Sequence, residues 1–104
     1  MAVIIVATAF PVPEHRAEAI AAFEAAMDKV HAEEDGCLLY ALHEGPDGRL
    51  VMIEKYASDE AVAAHVAGAG LAALRDALNG KLSAPIDVQV LTPYPAGSQA
   101  KGAL

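Results

Sequence analysis

The run Val3-Ile4-Ile5-Val6-Ala7-Thr8-Ala9-Phe10 is apolar at almost every successive position and is closed by Pro11 and Pro13. A strand with one wet face alternates apolar and polar residues, so an unbroken apolar run reads as a strand buried on both faces. Whatever fold this chain adopts must cover two sides of that strand. Two further strand-like runs, Cys37 to Glu44 (CLLYALHE) and Arg49 to Ala57 (RLVMIEKYA), are separated by Gly45-Pro46-Asp47-Gly48. That spacer is tight-turn chemistry, and the pair reads as a β-hairpin. A last strand, Ile86 to Thr92, lies between Pro85 and Pro93.

Between these strands the period changes. From Glu14 to about Glu34, Ile20, Phe23, Met27 and Val30 fall at helical spacing among alanines and charged residues, with Pro13 suited to the first helical position and Asp35-Gly36 ending the helix. Ser58 is an N-cap, Asp59 and Glu60 put acids in the first turn, and Val62, His65, Val66 and Ala69 form one stripe. Gly68 and Gly70 break or bend this second helix, which continues through Leu71, Leu74 and Leu78 to Asn79-Gly80.

The order is β-α-β-β-α-β, for which the commonest solution is a four-stranded antiparallel sheet with the helices on one face, the ferredoxin-like α+β arrangement. Two helices cover one face, yet the first strand and the hairpin point apolar side chains both ways. The simplest cover for the second face is another copy of the chain, so a homodimer is expected. The domain spans residues 1–94; residues 95–104 lack periodicity and read as a tail, frayed or draped on a partner.

Fourteen acids against seven bases give a formal charge of −7. That sign repels phosphate backbones and anionic headgroups, so neither nucleic acid nor membrane is an expected partner. No run approaches the roughly 18 to 20 apolar residues of a membrane span, and the amino terminus lacks the basic start of a secretory signal, which makes the cytoplasm the expected location. The single cysteine, Cys37, cannot form an internal disulfide, and no Cys/His cluster has zinc spacing. No phosphate loop, dinucleotide fingerprint, HExxH motif or Ser/His/Asp set is present, which disfavours kinases, nicotinamide enzymes, zinc proteases and hydrolases.

Among titratable candidates, His15 and His31 read as helix-surface residues and His43 as a solvated residue beside the hairpin turn. His65 differs, because it sits in an apolar stripe where burial disfavours the charged imidazolium. It is either a core histidine satisfied by a carbonyl or a base in a cavity. Glu54 is a carboxylate in the middle of the apolar run LVMIEKY and should face a cleft or meet a partner. Tyr40 and Tyr56 can place hydroxyls in a cavity or simply pack. If Gly45 to Gly48 form a four-residue loop, Cys37, Leu39, Ala41 and His43 share a face with Leu50, Met52, Glu54 and Tyr56 while Tyr40 points away; a one-residue slip reverses this.

Glu34-Asp35-Gly36-Cys37-Leu38-x-Tyr40, Glu54-x-Tyr56-x-Ser58-Asp59-Glu60-Ala61, Ala64-His65 and the stretch Leu71 to Leu78 together resemble the antibiotic biosynthesis monooxygenase superfamily and its quinol monooxygenase relatives, over about residues 3 to 93. The resemblance implies a dimeric α+β barrel of two ferredoxin-like sheets packed face to face. It also implies oxidation of a hydroquinone, anthrone or polyphenol by molecular oxygen without flavin, haem or metal. His65 matches the family's helix-two histidine and becomes the candidate base, with Glu54 orienting it or the substrate. Tyr56, Tyr40, His43 and Arg75 are the candidate substrate-binding residues. The haem-degrading branch uses a tryptophan on helix two, and this chain has no tryptophan. One fold hosts many activities, so a non-catalytic homodimer binding a small aromatic metabolite, or an isomerase or lyase on the same barrel, stand beside the oxygenase.

Overall fold

The computed structural model describes all 104 residues. Strand β1 (Val3–Ala9) leads through a 3-10 turn (Pro13–His15) into helix α1 (Arg16–Glu33), then the hairpin strands β2 (Cys37–Glu44) and β3 (Leu50–Tyr56). Helices α2 (Asp59–Val66) and α3 (Ala69–Leu78) follow, and β4 (Asp87–Leu91) closes the sheet. The sheet is antiparallel with order β2-β3-β1-β4, so the chain has the α+β, ferredoxin-like fold. The second helix is two helices bent by 49°, and the break falls at Gly68, the N-cap of α3.

The core lies between the sheet and the helices. Along β3 every second residue, Leu50, Met52, Glu54 and Tyr56, is buried, which is the period of a strand with one covered face. Phe23 and Val30 on α1 and Leu74 and Leu78 on α3 pack onto that face. Each such side chain removed from water contributes about 1.5–3 kcal/mol.

The hairpin register is the one-residue alternative to a four-residue loop. Glu44 pairs with Leu50, and the Gly45 amide bonds the Arg49 carbonyl, so the loop proper is Pro46-Asp47-Gly48. Gly48 has φ +86°, a left-handed conformation that glycine enters without steric cost, and its amide closes the turn on the Gly45 carbonyl. In consequence Tyr40 and Leu42 lie on the face of Glu54 and Met52, and Tyr40 is directly opposite Glu54. Leu39, Ala41 and His43 turn to the outer face. A bulge between Cys37 and Leu39 resets the register so that Cys37 faces Tyr56.

The outer face carries the cross-strand rows Leu91-Ile4-Lys55-Leu39 and Gln89-Val6-Ile53-Ala41. Leu39, Leu91 and the neighbouring Leu38 are exposed. The carboxy-terminal segment reaches back to the same chain, where the Lys55 Nζ donates to the Leu104 carbonyl. No single helix is long and apolar enough to cross a membrane.

Candidate active site

His65 sits in the last turn of α2, a helix started by Ser58, whose hydroxyl accepts from the Ala61 amide at 3.1 Å. The ring points into the protein and is 4% exposed. Its Nδ1 donates to Glu34 Oε1 at 2.7 Å, and its Nε2 lies 3.8 Å from Glu54 Oε1. Glu34 caps the carboxyl end of α1, and its side chain runs between α2 and α3. Room for it comes from glycine: a Cβ on Gly68 would stand 3.2 Å from Glu34 Oε2, and one on Gly36 would meet the Ala61 Cβ at 2.5 Å. Tight approach of the Glu34-Asp35-Gly36 loop to α2 and α3 therefore places the carboxylate on the histidine.

Glu54 is equally buried, at 4% exposure, and its Oε1 accepts from the Tyr56 hydroxyl at 2.6 Å. Burial pushes its carboxyl above the ordinary carboxylate range, opposed by the Tyr56 hydrogen bond and the neighbouring His65. Burial, reinforced by the Glu54 and Glu34 charges, pushes the Tyr40 phenol above its usual value, so it stays a donor at neutral pH. Tyr56 is held protonated by burial and by its bond to Glu54. The rings of Tyr40 and Tyr56 flank the imidazole, with centroids 5.4 and 5.1 Å away.

These groups border a cavity of about 390 Å³ between the sheet and helices α2 and α3. Ten of its thirteen lining residues are hydrophobic, and the remaining three are Glu54, His65 and Arg75. The volume is in the range of small-molecule sites, roughly 300–1,000 Å³. Neither His65 Nε2, Glu54 Oε2 nor the Tyr40 hydroxyl has a hydrogen-bond partner within the chain, and no side-chain polar atom is both sealed off and unpartnered. All three therefore open into the cavity. A neutral imidazole that donates from Nδ1 keeps its lone pair on Nε2, so the basic nitrogen faces the ligand space.

Of the residues singled out from sequence, His65, Glu54, Tyr40 and Arg75 line this one cavity, and Tyr56 stands behind Glu54. His43 does not join them: the hairpin register puts it on the outer face, exposed, with its Nδ1 on the Ala41 carbonyl. His31 bonds the Tyr40 carbonyl and His15 pairs with Glu18, both outside the cavity lining. Glu34 is given no site role by the sequence reading, where it appears only in the motif Glu34-Asp35-Gly36-Cys37-Leu38-x-Tyr40; the glycine pair at 68 and 70 is the signal that could have exposed it. No three His, Cys, Asp or Glu side chains converge as a metal-ligand group.

Residues 2–77 match the family model described as antibiotic biosynthesis monooxygenase. No curated protein matches the chain. Among solved structures, Rv0793 of Mycobacterium tuberculosis is similar at 31% identity and TM-score 0.86, with 94% of this chain and 100% of that one covered. A Caulobacter crescentus protein carrying the family's name is 28% identical at TM-score 0.82, covering 86% of this chain and 87% of its own. Another from Deinococcus radiodurans, likewise carrying that name, is 26% identical at TM-score 0.76, with 92% and 93% covered.

Proposed function

The chain belongs to the antibiotic biosynthesis monooxygenase family, and on that premise we propose that it oxidises a small hydroquinone, anthrone or polyphenol with molecular oxygen, needs no bound cofactor and works as a homodimer. The observation that carries this reading is the convergence of a free imidazole nitrogen, a carboxylate oxygen and a phenol hydroxyl on one otherwise apolar cavity.

In this mechanism His65 Nε2 takes the proton of the substrate's hydroxyl or activated C–H, and Glu34 holds the resulting imidazolium in place. Tyr40 donates to the substrate's second oxygen. The apolar walls keep water from the electron-rich anion, which gives one electron to oxygen; the two radicals then combine into a peroxide. The imidazolium returns its proton, and the O–O bond breaks with loss of water. An anthrone and one O₂ give an anthraquinone and water, and a hydroquinone and one O₂ give a hydroxyquinone and water. All four electrons come from the substrate, so no external reductant enters.

The homodimer proposal is supported by the outer sheet face. Ile4, Val6, Val51 and Ile53 lie there beside exposed Leu39 and Leu91, and no helix of the chain packs on that side. A second copy presenting the same face buries both. Light scattering at micromolar concentration should give twice the chain mass; a monomer mass rejects this part of the reading.

Oxygen consumption with a panel of naphthohydroquinones, benzohydroquinones and anthrones tests the activity, with the autoxidation rate subtracted. Uptake should fall roughly 10²- to 10⁴-fold in His65→Ala, the usual contribution of a general base. Aromatic binding without uptake would move the reading to a binding dimer, and turnover without oxygen would move it to an isomerase or lyase.

A further inference from the structure

The cations of this chain are nearly all spoken for. Arg16 reaches Glu44 at 2.7 Å, Arg49 reaches Asp47 at 2.6 Å, Lys29 reaches Glu33 at 2.8 Å and Lys81 lies 3.7 Å from Glu18. Lys55 donates to the Leu104 carbonyl. Two cations are left without a partner, Lys101 in the carboxy-terminal segment, outside the cavity lining, and Arg75, whose guanidinium pairs with no carboxylate and donates no hydrogen bond. In a chain with fourteen acids, that is not for want of carboxylates. Arg75 is also the one Lys or Arg that lines the cavity.

Burial orders the lining from floor to mouth. Glu54, His65, Tyr40 and Met52 are buried, whereas Arg75, Val66 and Val88 are exposed. The cavity thus has a floor that accepts protons and a cationic mouth, separated by apolar walls such as Ile5, Ala7 and Ile86. A neutral dihydroxyaromatic engages only the floor. A ring with a hydroxyl at one end and a negative charge at the other engages both, and a guanidinium matches a carboxylate with two parallel charge-assisted hydrogen bonds.

We infer that the substrate is a hydroxyaromatic carboxylate, its hydroxyl at His65 on the cavity floor and its carboxylate on Arg75 at the mouth. This rests on the reading of the cavity as the oxygenase site and adds to it the charge of the substrate. The net charge of −7 repels such an anion at long range, so capture depends on this local cation.

The test is anaerobic binding, by calorimetry, of 1,4-dihydroxynaphthalene and 1,4-dihydroxy-2-naphthoate, two probes that differ only in the carboxylate. The wild type should prefer the carboxylate at least tenfold, the preference should shrink in high salt, and Arg75→Met should bring the ratio close to one while Arg75→Lys keeps part of it. Arg75 is exposed, so these variants put no core packing at risk. A wild-type ratio near one, or a ratio that Arg75→Met leaves unchanged, overturns the inference. Oxygen uptake separates this failure from that of the underlying reading: uptake with the neutral probe and no binding preference rejects only the anion, whereas a preference for the carboxylate with no uptake from either probe rejects only the oxygenase.

Discussion

Strands β3 and β4 both pair with β1, one on each side, and they depart from the usual inside-outside rule in opposite directions. β3 buries a carboxylate, Glu54, in a row of otherwise apolar inward residues. β4 leaves Val88 56% and Val90 65% exposed, although both lie on the same inner face of the sheet as Glu54. The helices account for the difference. α1 and α3 pack on the inner face over β3, while a cavity lies between β1, β4 and the residues His65, Val66, Leu71 and Arg75 of α2 and α3, and Val88 lines it. The exposed valine and the buried acid border one cavity, at its mouth and its floor. In a small domain a polar residue where packing wants an apolar one, next to apolar residues where solvent is expected, marks a site more surely than either alone.

The largest contrast between the two strands should be in stability. Leu50→Ala on β3 removes a fully packed side chain and is expected to cost about 2–5 kcal/mol in chemical denaturation, whereas Val88→Ala on β4 should stay within about 0.5 kcal/mol. If both cost the same, the inner face is covered over β4 as well and the cavity is closed in solution.

How much of this was legible beforehand differs between the strands too. The element order, the hairpin, the break near Gly68 and the anomalies of Glu54 and His65 all followed from local pattern, because period, turn residues and out-of-place polar groups are written in neighbouring positions. The face of Tyr40 did not follow, since Gly45-Pro46-Asp47-Gly48 suits a four-residue loop and a three-residue loop ending in left-handed Gly48 equally well, and the two differ by one step of register. Glu34 enters the sequence reading only as the first residue of the Glu34-Asp35-Gly36 motif, and its role stayed hidden because its partner His65 is 31 residues away. The exposure of β4 was invisible as well: Val88 and Val90 alternate with Asp87 and Gln89 as in any half-buried strand, and only the three-dimensional packing shows that the inner face is not covered there.

A smaller effect is expected from Glu34→Gln, which keeps an acceptor for the His65 Nδ1–H and removes only the charge. With the floor of the cavity intact, KM should change little while kcat falls about tenfold, on the order of 1.4 kcal/mol of transition-state stabilisation. A role confined to holding the fold would lower the melting temperature and leave kcat of the folded variant unchanged.

A smaller effect than that of Glu34→Gln is expected from Glu54→Gln, and its sign is opposite to that of most core changes. Burial raises the Glu54 carboxyl above 4.5, its ordinary value in the unfolded chain. The folded state therefore holds this proton more tightly, and the charge costs stability as pH rises from about 4.5 through the raised value. Below that window both states are protonated and the cost vanishes. Glutamine still accepts from the Tyr56 hydroxyl but carries no charge, so the variant should be more stable than wild type at pH 7 by about 1 kcal/mol, with the gain fading toward pH 4. The loss of attraction to His65 works the other way and keeps the gain small. Thermal melts of both proteins from pH 4 to pH 8 measure it. A variant that is less stable at every pH would mean that Glu54 is held for packing; one that gains stability and loses oxygen uptake would mean that the chain keeps a destabilising charge on the cavity floor because the chemistry uses it.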